Sequence, residues 1–277
     1  MPRDADTPLP SPAARIGART GAPAAPPAWN PVLDTIFAHR SVRAFLDRPL
    51  AAGTLDLLAG AAQSASTSSN LQVWSVVAVE DDARRARLAE LAARQGFIRE
   101  APLLLVWIAD LARLAALAEA QGKTAGALDY TESFMVGLID AALAAQNAAL
   151  AAESLGLGGC YVGAMRNHPE AVAEELGLPA RAMAVFGMAI GWPDPARATG
   201  IKPRLPTEAV LHRERYQPAQ DAALADYEER LATYQRSQGL KPVGWAGTVL
   251  ARMADSAALR GRDRMKAALA VLGFALR

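Results

Sequence analysis

Residues 131–155, TESFMVGLIDAALAAQNAALAAESL, constrain the fold more than any other stretch. The only charged residues in this run are Glu132, Asp140 and Glu153. A helix of this composition is apolar on most sides and has to be buried on most sides. Thr131 is placed to cap its start and Gly156 to stop it. Its many alanines let neighbouring elements approach closely. Two positions satisfy these demands, the centre of one monomer and a dimer interface, and the spacing fits both.

The rest of the chain is consistent with a globular protein built around such a helix. Of its 277 residues 52% are hydrophobic and 21% charged, which suits one large domain or two small ones. The formal net charge is +1, so no overall field draws the chain to nucleic acid or to a membrane surface. Cys160 is the single cysteine, which excludes an internal disulfide and a thiolate metal site. His39, His168 and His212 are far apart in sequence, so a histidine metal cluster is not expected. No secretory core is evident, and no apolar run free of turn signals reads as a membrane span. The expected location is the cytoplasm.

Residues 1–30 are rich in Ala, Pro and Gly and are expected to form a mostly disordered leader. Order is expected from Pro31. Val32, Leu33, Ile36 and Phe37 have helical spacing, and a second helix spans about 54–64. The strands expected next are 73–80 (VWSVVAVE) and 102–110 (PLLLVWIAD), with a helix between them capped near Asp81 or Asp82. After the long helix come a short strand turning into a loop at 158–167, a helix opened by Pro169, and a strand at 184–193. Helical stretches at about 221–238 and 246–273 close the chain. This pattern is α+β or α/β. The expected division is a leader (1–30), a main domain (31–240) and a C-terminal helical extension (241–277) packed on the domain or on a partner subunit.

Several tempting sites fail on chemistry. GLGG (156–159) lies between a helix and a strand, the reverse of a dinucleotide fingerprint, and Tyr161 stands where the third glycine belongs. Cys160 has no activating neighbour in sequence and reads as a small residue of a buried strand. Asp140 and Glu153 are more than three helical turns apart and cannot form an acid/base pair; each is expected to cap or to pair with a neighbouring subunit. Met135 and Met165 read as packing residues.

Three polar stretches stand out. HRSVR (39–43) clusters cations with a hydroxyl, STSS (66–69) is a run of hydroxyls between a helix and a strand, and KPR (202–204) holds two cations in an extended turn. Singly each is weak. Together they supply the cations and donors that a phosphate-bearing cofactor needs.

These stretches, with SASTSSNLQVWSVVAV, ARQG, DAALAAQNAALAAESLGLGGCYVGAMRN, FGMAIGWP, KPRLP and RYQP in one collinear order over 31–238, resemble the nitroreductase family, in its NADPH-dependent nitro- and flavin-reductase branch. The resemblance implies an α+β fold with a central mixed or antiparallel sheet flanked by helices. It also implies an intertwined homodimer holding tightly bound, non-covalent FMN at the subunit interface. By similarity, His39, Arg40, Ser41, Lys202 and Arg204 meet the FMN phosphate, with Val42 and Pro203 in the same segments. Arg43 reaches the pyrimidine edge, where a cation stabilises arriving negative charge. Thr67 and Ser69 bond the flavin or its ribityl chain, and Gln95 bonds the polar edge. Tyr161, Val162, Gly163 and Ala164 run along one flavin face. Ala164 stands where many relatives carry a second glycine.

The implied activity is ping-pong transfer of electrons from NADPH, or NADH, through FMN to a nitroaromatic, quinone, flavin or similar small acceptor. No protein side chain is needed as an obligatory acid or base, and no metal is implied. Arg236 and Lys241 are the candidates for a 2′-phosphate, with Gln238 standing where such relatives tend to carry an arginine. The basic segment 246–277 is expected to close over the partner subunit. The competing reading is a flavin-binding sensor or store without turnover.

Overall fold

The computed structural model describes residues 10–218 and 220–277. In chain order its helices and strands are α1 (Pro12–Thr20), α2 (Pro31–Ala38), α3 (Thr54–Gln63), β1 (Trp74–Val79), α4 (Asp82–Leu91), α5 (Phe97–Glu100), β2 (Leu103–Asp110), α6 (Ala112–Ala120), α7 (Thr131–Ser154), β3 (Gly158–Val162), α8 (Pro169–Leu176), β4 (Ala182–Gly191), α9 (Asp221–Ser237), α10 (Gly244–Arg252) and α11 (Met265–Val271). The chain divides into two compact units. One holds the residues up to Arg40 together with Pro195–Ala258; the other holds Ser41–Asp194 and Leu259–Arg277. The expected boundary at 240/241 coincides with neither, because 241–258 pack with the first unit and 259–277 with the second.

The second unit contains an antiparallel four-stranded sheet in the order β1-β2-β4-β3. β2 reads as unbroken apolar sequence because both of its faces are covered. Leu103, Leu105 and Trp107 point toward α3 and α7 with Leu58, Ala62, Ala144 and Ala148. Leu104, Val106 and Ile108 point to the opposite side with Leu88, Ile98 and Val172. The two-residue period of the strand makes this division.

α7 is long and apolar enough to cross a membrane by length and composition. In the fold it instead lays Val136, Gly137, Asp140, Ala141, Ala144, Ala145 and Ala148 against the sheet. Small residues are required there: a Cβ on Gly137 would come within 3.2 Å of the Ala109 Cβ. The expectation of burial on most sides holds for only one face of a single chain. Met135, Ile139 and Leu143 are 48%, 52% and 44% exposed. Met135 is therefore not a packing residue within one chain, whereas Met165 is fully buried. The cap also differs. The N-cap residue is Tyr130, without a side-chain bond, and Thr131 donates through its N and its Oγ1 to the Arg277 carbonyl oxygen, at 3.2 and 3.3 Å.

Two further segments differ from the sequence reading. Residues 12–20, placed in the disordered leader, form α1. Ser11 caps it by accepting from the Ala14 N–H, Pro12 sits in its first turn, and Gly21 ends it at φ +95°. Residues 1–9 of that leader lie outside the described residues. The stretch 246–273 is not one helix. Asp255 Oδ1 accepts from the Ala258 N–H at 2.9 Å, competing with helical bonding, and Gly261 takes φ +86°. Leu269, Leu272 and Phe274 then pack into the core of their own unit beside Val136 and Ala173.

Arg264 anchors this tail by donating to both Glu170 oxygens at 2.7 and 2.6 Å. That hydrogen bond holds the Glu170 carboxyl below its ordinary value, against a smaller opposing effect of burial. A carboxylate lowered in the folded state contributes stability that is present above its unfolded pKa and lost as pH falls through the folded one. Glu170→Gln is therefore expected to flatten the fall of melting temperature between about pH 5 and pH 3. A pH profile identical to the parent's contradicts this.

Candidate functional site

HRSVR runs across the boundary of the two units, with His39 and Arg40 ending one and Ser41 opening the other. In the first unit the KPR turn comes together with His39. Arg19, at the end of α1, donates to the Lys202 carbonyl at 2.7 Å and to the His39 carbonyl at 2.7 Å. The Arg204 N–H donates to the Arg19 carbonyl at 2.7 Å. Pro203 is buried, and its carbonyl accepts from the Tyr227 hydroxyl at 3.3 Å. Burial pushes the Tyr227 phenol up, and the Arg204 and Arg230 guanidiniums partly offset it. The Lys202 ammonium lies 5.9 Å from the Tyr234 ring centroid. Arg40 reaches the Thr199 carbonyl at 3.5 Å. Arg230 pairs with Asp226 at 2.7 Å, yet its Nη1 is buried without an acceptor among the described residues. Cations gathered on backbone held by other cations favour an anionic ligand.

In the second unit Ser41 forms a bridge with Gly159, and the Val42 N–H donates to the Gly159 carbonyl at 2.9 Å. This lays 41–43 along β3, the strand that leads to Tyr161–Ala164. The approach is close: a Cβ on Gly158 would fall 2.5 Å from Val42 Cγ2. Arg43 is exposed, with its guanidinium 6.0 Å from the Phe97 ring centroid. That places it beside the 93–96 loop, where Gln95 Nε2 donates to the Ala92 carbonyl at 2.9 Å. Ala93 and Arg94 take φ +62° and +56° there, a tight reversal. Gly163 begins the turn after β3 and is half-buried, and the atoms nearest to a Cβ there would be those of the Arg166 guanidinium, from 3.4 Å.

Thr67 and Ser69 belong elsewhere in the same unit. Their loop follows α3 on the α7 face of the sheet, whereas Val42 and Phe97 pack on the opposite face. One chain does not bring them to Arg43. Tyr161 also leans to the α7 face, with its hydroxyl 3.4 Å from Gln146 Oε1 and its ring 5.2 Å from Phe186. Burial raises the Tyr161 phenol, and the Glu153 carboxylate adds to the shift.

Asp140 holds the hydroxyl loop. It is fully buried, its Oδ1 accepts from the Ser68 N–H at 3.1 Å, and its Oδ2 accepts from the Val73 N–H at 3.3 Å. Between those points Ser69, Asn70 and Gln72 take φ +48°, +55° and +50°. Of the two roles expected, capping or pairing with a neighbouring subunit, the carboxylate does what a cap does and satisfies backbone donors of its own chain. Cys160 is buried in β3, as a packing residue is.

The NADPH candidates have ordinary surroundings. Arg236 donates to Glu229 at 2.7 Å on the surface of α9, and Lys241 is exposed. Gln238 accepts from the Gly200 N–H at 2.9 Å, tying α9 to the stretch before KPR. Among the described residues no group of His, Cys, Asp and Glu could hold a metal ion.

The Nitroreductase family model matches residues 36–192, and the family's C-terminal domain model matches residues 202–277. The chain belongs to the nitroreductase family. Among similar members, the FMN reductase (NADPH) of Bacillus subtilis is 40% identical over 227 residues, 80% of this chain and 90% of that protein. The oxygen-insensitive NADPH nitroreductase of Salmonella typhimurium is 39% identical over 211 residues, 76% of this chain and 85% of that one. The solved structure of the NADPH:FMN oxidoreductase from Vibrio harveyi complexed with NAD+ superposes with a TM-score of 0.80 at 34% identity. It covers 90% of this chain and all of the other. Of this nitroreductase, α1 is the helix lying wholly outside the matched family segments.

Proposed function

We propose that this nitroreductase is an FMN-dependent NAD(P)H oxidoreductase acting on small acceptors such as nitroaromatics, quinones or free flavins. The observation that carries the reading is the cationic backbone of the first unit, where Lys202 and His39 are joined at one guanidinium and Arg204 at the same residue. A phosphate monoester near its dianion fits that donor set. The curated relatives, named as NADPH-dependent FMN and nitro reductases, support the same activity.

FMN, when bound, would supply the redox chemistry that links a nicotinamide hydride donor to the acceptor. The protein's part is binding and electrostatics. His39, Arg40, Ser41, Lys202 and Arg204 hold the phosphate. Arg43, exposed and with its guanidinium beside the Phe97 ring, holds the polar edge and stabilises negative charge there. Because Thr67 and Ser69 lie on the other face of the sheet, they reach such a flavin from a second copy. The exposed stripe of Met135, Ile139 and Leu143 on α7 supports that homodimer. Arg236 and Lys241 stand by for a 2′-phosphate, Arg236 exchanging an exposed ion pair worth little for it. The lone buried Cys160 suits the cytoplasm.

Initial rates with NADPH and a quinone, each varied against the other, test the order. Parallel double-reciprocal lines are expected for ping-pong transfer. Converging lines contradict that order, and the absence of turnover with every acceptor class leaves a flavin store instead.

A further inference from the structure

Helix α1 contributes no fully buried residue to a core, yet it is tied down by polar contacts from Arg15 to Arg19. Arg15 pairs with Asp34 at 2.9 Å, and Asp34 also accepts from the Trp29 indole at 2.7 Å. At the other end, Arg19 spreads its guanidinium over three carbonyls, those of Lys202 and His39 at 2.7 Å and that of Phe37 at 3.4 Å. Its own carbonyl accepts from the Arg204 N–H at 2.7 Å. The next turn is closed by Gly21 at φ +95°, where a Cβ would fall 2.6 Å from the Arg230 guanidinium. Arg230 in turn donates to the Thr20 and Arg204 carbonyls, each at 3.3 Å.

We infer that α1 is a strap that presets the phosphate-binding backbone, with Arg19 as its positioning residue. The inference rests on the phosphate reading of His39, Arg40, Lys202 and Arg204 given above. Two physical effects follow from the geometry. A planar guanidinium can bond two oxygens at fixed separation, so it fixes the His39 backbone relative to that of Lys202 before any ligand arrives. It also covers carbonyl oxygens, which would repel an anion, with a positive charge. An ammonium at the same place has three donors but on a flexible stem without a fixed fork, so it would not hold the pair in register.

Both effects act on the phosphate end, so the diagnostic is a comparison of FMN with riboflavin, which lacks the phosphate. Dissociation constants of the two flavins for the deflavinated full chain, read by fluorescence quenching, give the result directly. Arg19→Ala is expected to weaken FMN binding about tenfold and to change riboflavin binding less than about twofold. Arg19→Lys is expected to recover only part of the loss. Deletion of residues 2–22, which leaves the segments matched by the family models intact, is expected to repeat the alanine result and serves if Arg19→Ala does not fold. If both flavins weaken equally, Arg19 is a general stabiliser and the strap is overturned. If neither weakens, or if lysine restores FMN binding fully, it is overturned as well. If the unaltered protein binds riboflavin as tightly as FMN, the phosphate reading itself fails, and the strap with it.

Discussion

Arg204→Ala is expected to weaken FMN retention about thirtyfold, because a charge-assisted bond to a phosphate contributes roughly 1.5–3 kcal/mol. The side chain is exposed, and its backbone is fixed by Arg19. In the proposed site the substitution therefore removes a phosphate contact without opening a core. The rate of flavin reduction by NADPH in the remaining loaded protein should change little, since the phosphate is remote from the reacting ring. Arg43→Ala should do the opposite. It removes a cation from the polar edge, where negative charge develops, and should slow reduction by about tenfold to a hundredfold with a small loss of retention. Stopped-flow reduction and equilibrium dialysis separate the two effects. Small and equal effects of both substitutions would contradict the site assignment.

Asp140→Ala is expected to cost about 3 kcal/mol of stability and to lower the melting temperature by roughly 10 °C. The carboxylate is fully buried and is the acceptor for two backbone donors, Ser68 and Val73. Alanine leaves both N–H groups without a partner, at about 1–3 kcal/mol each. It also releases the left-handed backbone at Ser69, Asn70 and Gln72, which is strained for residues with side chains. Asp140→Asn should fall between, because an amide has one acceptor oxygen and turns donors toward a donor. A melting temperature within about 2 °C of the parent for the alanine variant would show that the loop is held by something else.

The sequence announced some of this through patterns that survive without tertiary context. PLLLVWIAD reads as a buried strand because it is a short apolar run containing Val, Trp and Ile; β2 is that strand. HRSVR and KPR stand out as a candidate anion site because their cations are adjacent in sequence, and Arg19 joins the backbones of the two at Lys202 and His39. The role of Asp140 was not, since its donors are 72 and 67 residues away on a loop and carry no side-chain signature. The leader misled through its Ala, Pro and Gly content, although Ser11, Pro12 and Gly21 are a start and a stop for a helix. α6 passed unremarked between two stronger patterns. The face on which Thr67 and Ser69 lie depends on where α3 packs, which no local pattern specifies.

The most direct test of the central claim is the visible spectrum of the purified protein before and after anaerobic addition of NADPH. Oxidised flavin bands near roughly 370 and 450 nm that bleach on addition are the predicted result. A colourless protein that takes up no added FMN would contradict the account, and bound flavin that NADPH leaves oxidised would contradict its enzymatic part.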